Sequence, residues 1–264
     1  MPYKDINKKP DMSIKHCVIP DTQIRHSEDL SYLTAIGHFL VDKKPDVIIQ
    51  LGDFADMTSL SSYDIGKKSF EGQRYVKDID AAQRGMDLLL APLVNFNILK
   101  KKNKEKQYKP RLILTLGNHE QRIERAINND PKLEGLISYE DLPYKQWEVH
   151  GFLSPVIVDN IAYCHYYPSG IFGRPITSAS CMVSKLHMSC IAGHQQGRQV
   201  AYGKKADGTN ITCIIAGSCY EHQEGYLNIQ TNNHWRGLIM LNEVNNGSFD
   251  EMFVSLRYLR EKYG

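Results

Sequence analysis

Five apolar runs in this chain end alike, each closing on a turn that carries carboxylate, carboxamide or imidazole side chains. IKHCVIP leads to Asp21 and Gln23, DVIIQLGDFAD to Asp53 and Asp56, and RLILTLGNHE to Asn118, His119 and Glu120; IAYCH ends on His165, and SCIAGHQQ delivers His194 and Gln196. Short unbroken runs of this kind read as strands buried on both faces, and open α/β sheets place their sites at the C-terminal ends of such strands. Taken singly, Asp21 reads as a turn, GD or GN as a tight loop and His165 as a core histidine. The ordered set of five predicts one polar site at one edge of the sheets.

The runs at 14–19 and 46–51 enclose a helical stretch from Glu28 to Val41, with Leu30, Leu33, Ile36, Gly37 and Leu40 on one face. That is a βαβ unit, with a right-handed crossover expected. A longer helical stretch, Phe70 to Leu99, precedes the strand at 111–116, and Pro92 inside it predicts a break or kink. After the run at 154–159, strands at 161–167, 189–193, 211–217, 236–244 and 251–258 follow one another with few helices, and DNIA and NNGS read as hairpin turns. An α/β first half meeting a β-rich second half predicts an α/β fold, a two-sheet β-sandwich flanked by helices, as one domain over 1–264.

Composition narrows the class. A chain of 264 residues with 42% hydrophobic and 23% charged residues can bury a core without staples, so collagen-like, disordered and disulfide-framework readings fall away. The cysteines at 17, 164, 181, 190, 213 and 219 form no CxxC pair and read as buried free thiols in a reducing compartment. Met1 to Asp11 is polar where a secretory signal needs an apolar stretch, and Leu88 to Val94 falls short of the roughly 20 apolar residues of a membrane span. A cytoplasmic protein with no membrane partner is expected; the oligomeric state is left open. Lys plus Arg (32) against Asp plus Glu (30) leaves a formal charge of +2, which does not mark a nucleic-acid binder.

In order, PDTQ, LGDFAD, LGNHE, YCHYY and AGHQQ resemble the signature of the calcineurin-like metallophosphoesterases: DxH, GDxxD, GNH(D/E), a lone strand histidine and GHxH. The resemblance spans residues 21–196, about two-thirds of the chain, and is most specific in GDxxD followed by GNHE. It implies two divalent cations about 3.5–4 Å apart, which clamp a phosphate and make hydroxide from water at neutral pH. It places Asp53 between the two, with Asn118, His165 and His194 completing one site. The other site would be Asp21, Gln23, Asp53 and Gln196, with glutamines at both positions where the family has histidines. Neutral amide oxygens favour Mn²⁺ or Mg²⁺ over Zn²⁺ and weaken that site, so Mn²⁺ is the expected metal, with Mg²⁺, Fe and Zn²⁺ as alternatives. His26 could stand in as a ligand but reads more readily as loop.

The resemblance gives His119 the role of general acid or transition-state stabiliser, with Asp56 orienting it and raising its pKa. The competing reading of His119 is a cap on the helix HEQRIERAI. Arg122, Arg174 and Arg198 are the candidate phosphate anchors, each equally readable as surface charge. The lysine-rich stretch KKKNKEKQYKPR (100–111) reads either as a solvated loop or as a contact for nucleic-acid phosphates. With the long insert between Asp56 and Asn118, it makes the arrangement similar to bacterial and phage-type, exonuclease-like members. The expected activity is hydrolysis of a phosphate ester, leaning to a phosphodiesterase or nuclease on DNA or RNA. The alternatives are a phosphomonoesterase on a small molecule or phosphoprotein, and a catalytically idle metal-binding scaffold.

Overall fold

A computed structural model describes residues 14–223 and 234–264. Its first sheet holds six strands: β1 (Ile14–Ile19), β2 (Val47–Gln50), β3 (Arg111–Thr115), β4 (Glu148–His150), β12 (Gly237–Asn245) and β13 (Ser248–Ser255), in the order β13-β12-β1-β2-β3-β4. The second holds β5 (Val156–Val158), β6 (Ile161–Cys164), β9 (Ser189–Ala192), β10 (Arg198–Lys204) and β11 (Asn210–Ala216), in the order β10-β11-β9-β6-β5. Strands β1 to β4 are mutually parallel, as are β6, β9 and β11, so their C-terminal ends gather at one edge of each sheet.

The alternation of side chains along each strand builds three apolar layers. Val18, Ile49, Ile113, Ile239, Tyr163, Ile191 and Ile214 meet between the sheets. Their neighbours Cys17, Ile48, Leu114 and Met240 face α1 (Tyr32–Lys43), α2 (Tyr75–Lys102) and α5 (Leu256–Tyr263) on the far side of the first sheet. Ala162, Cys164, Cys190, Cys213 and Ile215 face α4 (Ala179–Leu186) on the far side of the second. The expected two-sheet α/β sandwich with flanking helices is what forms. All six cysteines are free thiols. No helix among the described residues is long and apolar enough to cross a membrane.

Several local expectations are corrected. Pro92 does not interrupt α2, which runs through it. Its ring packs where a Cβ on Gly37 of α1 would sit, so the helix pair has absorbed the proline by close approach at a glycine. The expected strand 251–258 stops at Ser255, whose hydroxyl accepts from the Tyr258 N–H and opens α5. The β-rich half also contains α4, capped by Ser178, and the half-exposed edge strand β10, neither of which announces itself as an apolar run. Both hairpin turns are as expected, with Asp159, Asn160, Asn246 and Gly247 at positive φ. The helix α3 (Arg122–Asn129) follows GNHE directly.

Candidate metal and catalytic site

The site forms where the C-terminal edges of the two sheets meet. Asp21 leaves β1, Asp53 leaves β2 and Asn118 leaves β3, while His165 and His194 leave β6 and β9 of the other sheet. Two bonds tie the sheets together here: the His165 ring bonds through Nδ1 to the Leu51 carbonyl at 2.8 Å, and the His194 N–H donates to both Asp21 oxygens at 3.0 and 3.1 Å. The motif glycines are required by this crowding. A Cβ on Gly117 would collide with the Asp53 carboxylate, and one on Gly193 with that of Asp21.

Gln23, Asp53, His194 and Gln196 all have positive φ, between 41° and 66°. Non-glycine residues in the left-handed region carry strain, which proteins tolerate mainly where function over-determines the backbone. Four of the seven candidate ligands are in this state.

Asp53, 1% exposed, is central. His165 Nε2 lies 3.2 Å from its Oδ2, and His119 Nε2 lies 3.7 Å from the same atom. Asp53, His165 and His194 each bring a donor atom within 4.8 Å of the others. Asn118 Oδ1 is 2.8 Å from His165 Nε2. Asp21 is fully buried, 3.9 Å from His165 Nδ1. Burial pushes its carboxyl up to about 7, the Asp53 charge adding to the push while His165 draws it back. Burial alone would raise Asp53 too, but the charges of His119 and His165 hold it well below the usual carboxylate range. His165 is drawn the other way: burial opposes its charge, yet Asp53 keeps its pKa at about 9. Burial beside that charged ring depresses His194 to about 4, which leaves it a neutral imidazole.

These residues fit divalent cations. Gln23 is 2% exposed and its Oε1 is buried with no hydrogen-bond partner, a cost of about 1–3 kcal/mol that a cation would remove. Two buried carboxylates with their pKa values driven apart likewise carry repulsion that a cation would relieve. The bond from His165 Nδ1 to a backbone carbonyl leaves Nε2 as the ligating atom once deprotonated. Gln196 differs from Gln23, because its Oε1 already accepts from the Tyr220 hydroxyl at 2.9 Å.

Next to Asp53 lies a second polar group. His119 Nδ1 approaches Asp56 Oδ1 at 2.6 Å, with the ring N–H off the line of a hydrogen bond, so the contact is best described as an ion pair. Arg25 pairs with the other Asp56 oxygen, and Arg122 donates to the Asp56 carbonyl at 2.7 Å and reaches Oδ1 at 3.3 Å. Against its burial, these three cations hold Asp56 ionised, far below the ordinary range. Arg122 is thus at the site. Arg174 instead lies over Phe172 on a small hairpin formed by β7 (Pro168–Ser169) and β8 (Arg174–Pro175), and Arg198 lies over Trp235 and Phe253. His26 sits in the loop before α1, its carbonyl accepting from Arg84.

Two participants, Arg25 and Tyr220, escape the sequence reading, and a third, Glu120, is named there without a role. Glu120, fully buried, accepts from the N–H groups of Asp53, Ala55 and Gly117 and from the Tyr144 hydroxyl, and so staples the GD loop to the GNHE loop. Arg25 follows Gln23 by two residues, where no motif marks it. Tyr220 follows β11, whose run ITCIIAG also ends at this edge; the strand-end rule, applied a sixth time, would have reached it.

No protein-family model matches the chain, and no curated protein matches it significantly. Among solved structures it is similar to a predicted phosphoesterase from Streptococcus pneumoniae, at 10% identity over 92% of this chain and 91% of that one, with a TM-score of 0.32. It is also similar to a dimetal phosphatase from Danio rerio, at 11% identity over 93% of this chain and 100% of that one, with a TM-score of 0.41.

Proposed function

We propose that the chain is a divalent-metal-dependent phosphoesterase, with Asp53, Asn118, His165 and His194 holding one cation and Asp21, Gln23, Asp53 and Gln196 the other. One observation carries the reading: the buried, strained Asp53 has both His165 and the His119 of the His119–Asp56 pair against the same carboxylate oxygen, so a ligand cluster and an acid–base pair share one carboxylate. Cations bound there would acidify water and neutralise phosphate oxygens, Mn²⁺ being the best match to the oxygen-rich second set.

The remaining steps belong to the side chains. Asp56 fixes the imidazole of His119 and favours its charged form; burial opposes that charge, but Asp53 and Asp56 together raise its pKa. Arg122 lies 3.2 Å from Nε2, a contact that is a hydrogen bond only in the state where that nitrogen is unprotonated and accepts. The two states cannot coexist. An entering phosphate draws Arg122 onto its oxygens, and His119 is then free to carry a proton at Nε2 for the leaving oxygen.

The substrate is assigned as a phosphate ester with no preference for nucleic acid. The lysine-rich stretch belongs to the end of α2 and the approach to β3, where Tyr108 bonds to the Pro45 carbonyl and Lys100 shares the Phe96 ring with Lys44. That is the N-terminal edge of the parallel strands, opposite His119. An idle scaffold is disfavoured by the His119–Asp56–Arg122 group, which metal binding alone does not need. The test is metal analysis with turnover on p-nitrophenyl phosphate and bis(p-nitrophenyl) phosphate, for the parent and Asp53→Asn. Loss of both metals and of turnover in the variant is expected. Full metal content and activity would refute the proposal.

A further inference from the structure

We infer that Tyr220 is the positioning residue that aims Gln196 at the second cation, an inference that rests on the two-cation reading of the site. The two glutamines stand at equivalent strand ends but are held differently. Gln23 Oε1 is buried and unpartnered, whereas Gln196 Oε1 is engaged by the buried Tyr220 hydroxyl at 2.9 Å. A histidine at 196 would present a ring nitrogen fixed by its own plane. A glutamine has a freely turning terminal amide with a donor at one end and an acceptor at the other, and it ligates only if something sets that plane.

Tyr220 is built to set it. Its ring is 1% exposed, stacks on His222 with centroids 4.1 Å apart and planes 12° apart, and carries the Arg236 guanidinium 5.5 Å from its centre. Arg236 is itself fixed by the Glu221 and His222 carbonyls at 2.8 Å. The loop that bears Tyr220 is anchored to the ligand framework, since the Cys219 N–H donates to the Asp21 carbonyl at 2.7 Å and the Trp235 N–H to that of Gln196 at 3.2 Å. A phenol both donates and accepts, so this hydroxyl can give its proton to Oε1 or take one from Nε2. Either way the amide plane is held: with the phenol donating, Oε1 keeps a second lone pair for a cation, and with the amide turned over, Nε2 is paired to the phenol oxygen while Oε1 faces the cation. Outer hydrogen bonds of this type orient a ligand and raise metal affinity.

The test is Mn²⁺ titration of metal-stripped full-length protein by calorimetry, with free Mn²⁺ followed by its paramagnetic resonance signal, for the parent, Tyr220→Phe, Gln196→Ala and the double variant. Tyr220→Phe keeps the ring stack and removes only the hydroxyl. Two classes of Mn²⁺ are expected in the parent, with the weaker class loosened about ten-fold or more in Tyr220→Phe and the tighter class unchanged. In the Gln196→Ala background the tyrosine substitution should have no further effect. Unchanged affinities in Tyr220→Phe, an equal loss in both backgrounds, or a single class of Mn²⁺ in the parent would each overturn the inference. A parent with two classes and the expected coupling, but no turnover on any phosphate ester, would sink the functional proposal and leave this inference standing.

Discussion

At the scale of single residues, the division of labour around Asp53 makes His119 and Glu120 experimentally separable although they are adjacent. His119 touches Asp53 and Asp56 through its ring but is not among the candidate ligands. His119→Ala should therefore leave metal content intact while lowering turnover by about 100-fold or more, as for loss of a positioned acid. Parallel loss of metal and activity would make it a ligand. Glu120 reaches no substrate position; its carboxylate satisfies three buried N–H groups and one hydroxyl. Removing it in Glu120→Ala strands those donors, and at about 1–3 kcal/mol for each the loss in urea denaturation should be at least about 3 kcal/mol. The sequence shows these residue types at the right strand ends because ligand chemistry restricts the choice. It could not show what Glu120 does, because Asp53, Ala55 and Tyr144 are remote in the chain and become partners only when three loops converge.

At the scale of elements, legibility followed how each element acquires its stability. Strands β1, β2, β3, β9 and β11 are buried on both faces, so their sequences are continuous apolar runs that declare themselves. Strand β10 lies at a sheet edge, half exposed, and α5 is a short helix in which only Leu256 and Leu259 are buried. Neither carries a strong periodic signal; in α5 it does not outweigh the run EMFVSLRY, where only the cap at Ser255 marks the change of state. Pro92 shows tertiary packing overruling a local rule: the missing N–H costs the helix, but the ring fills the space opposite Gly37. Gly37→Ala should push that contact apart, since the new Cβ meets both the Leu89 carbonyl and the Pro92 ring. The expected loss is about 1–3 kcal/mol, read as a lower denaturation midpoint with unchanged slope. A neutral result would mean the helices slide without cost.

At the scale of the whole molecule, the two sheets are joined at both ends, and the end away from the site is sensitive to pH. His16 of β1 is fully buried; its Nδ1 meets the Tyr163 hydroxyl of β6 at 2.6 Å and its Nε2 meets Asp159 Oδ2 at 3.0 Å. Burial lowers the pKa of His16 and the nearby Arg111 charge adds to the effect, outweighing the pull of Asp159 and Asp46 toward the charged form. The folded chain therefore binds this proton less readily than the unfolded chain does. Its contribution is complete above the ordinary histidine pKa of about 6.5 and is lost as the pH falls from there toward the folded value. Other groups titrate in the same range, so the readout is a difference: the parent minus His16→Gln, which keeps a neutral polar group between the sheets. The advantage of the parent in melting temperature should be greatest at pH 7–8 and shrink steadily toward pH 5. An advantage that is flat across this range, or that grows on acidification, would show that His16 is charged in the folded protein and that the inter-sheet contact is an ion pair with Asp159.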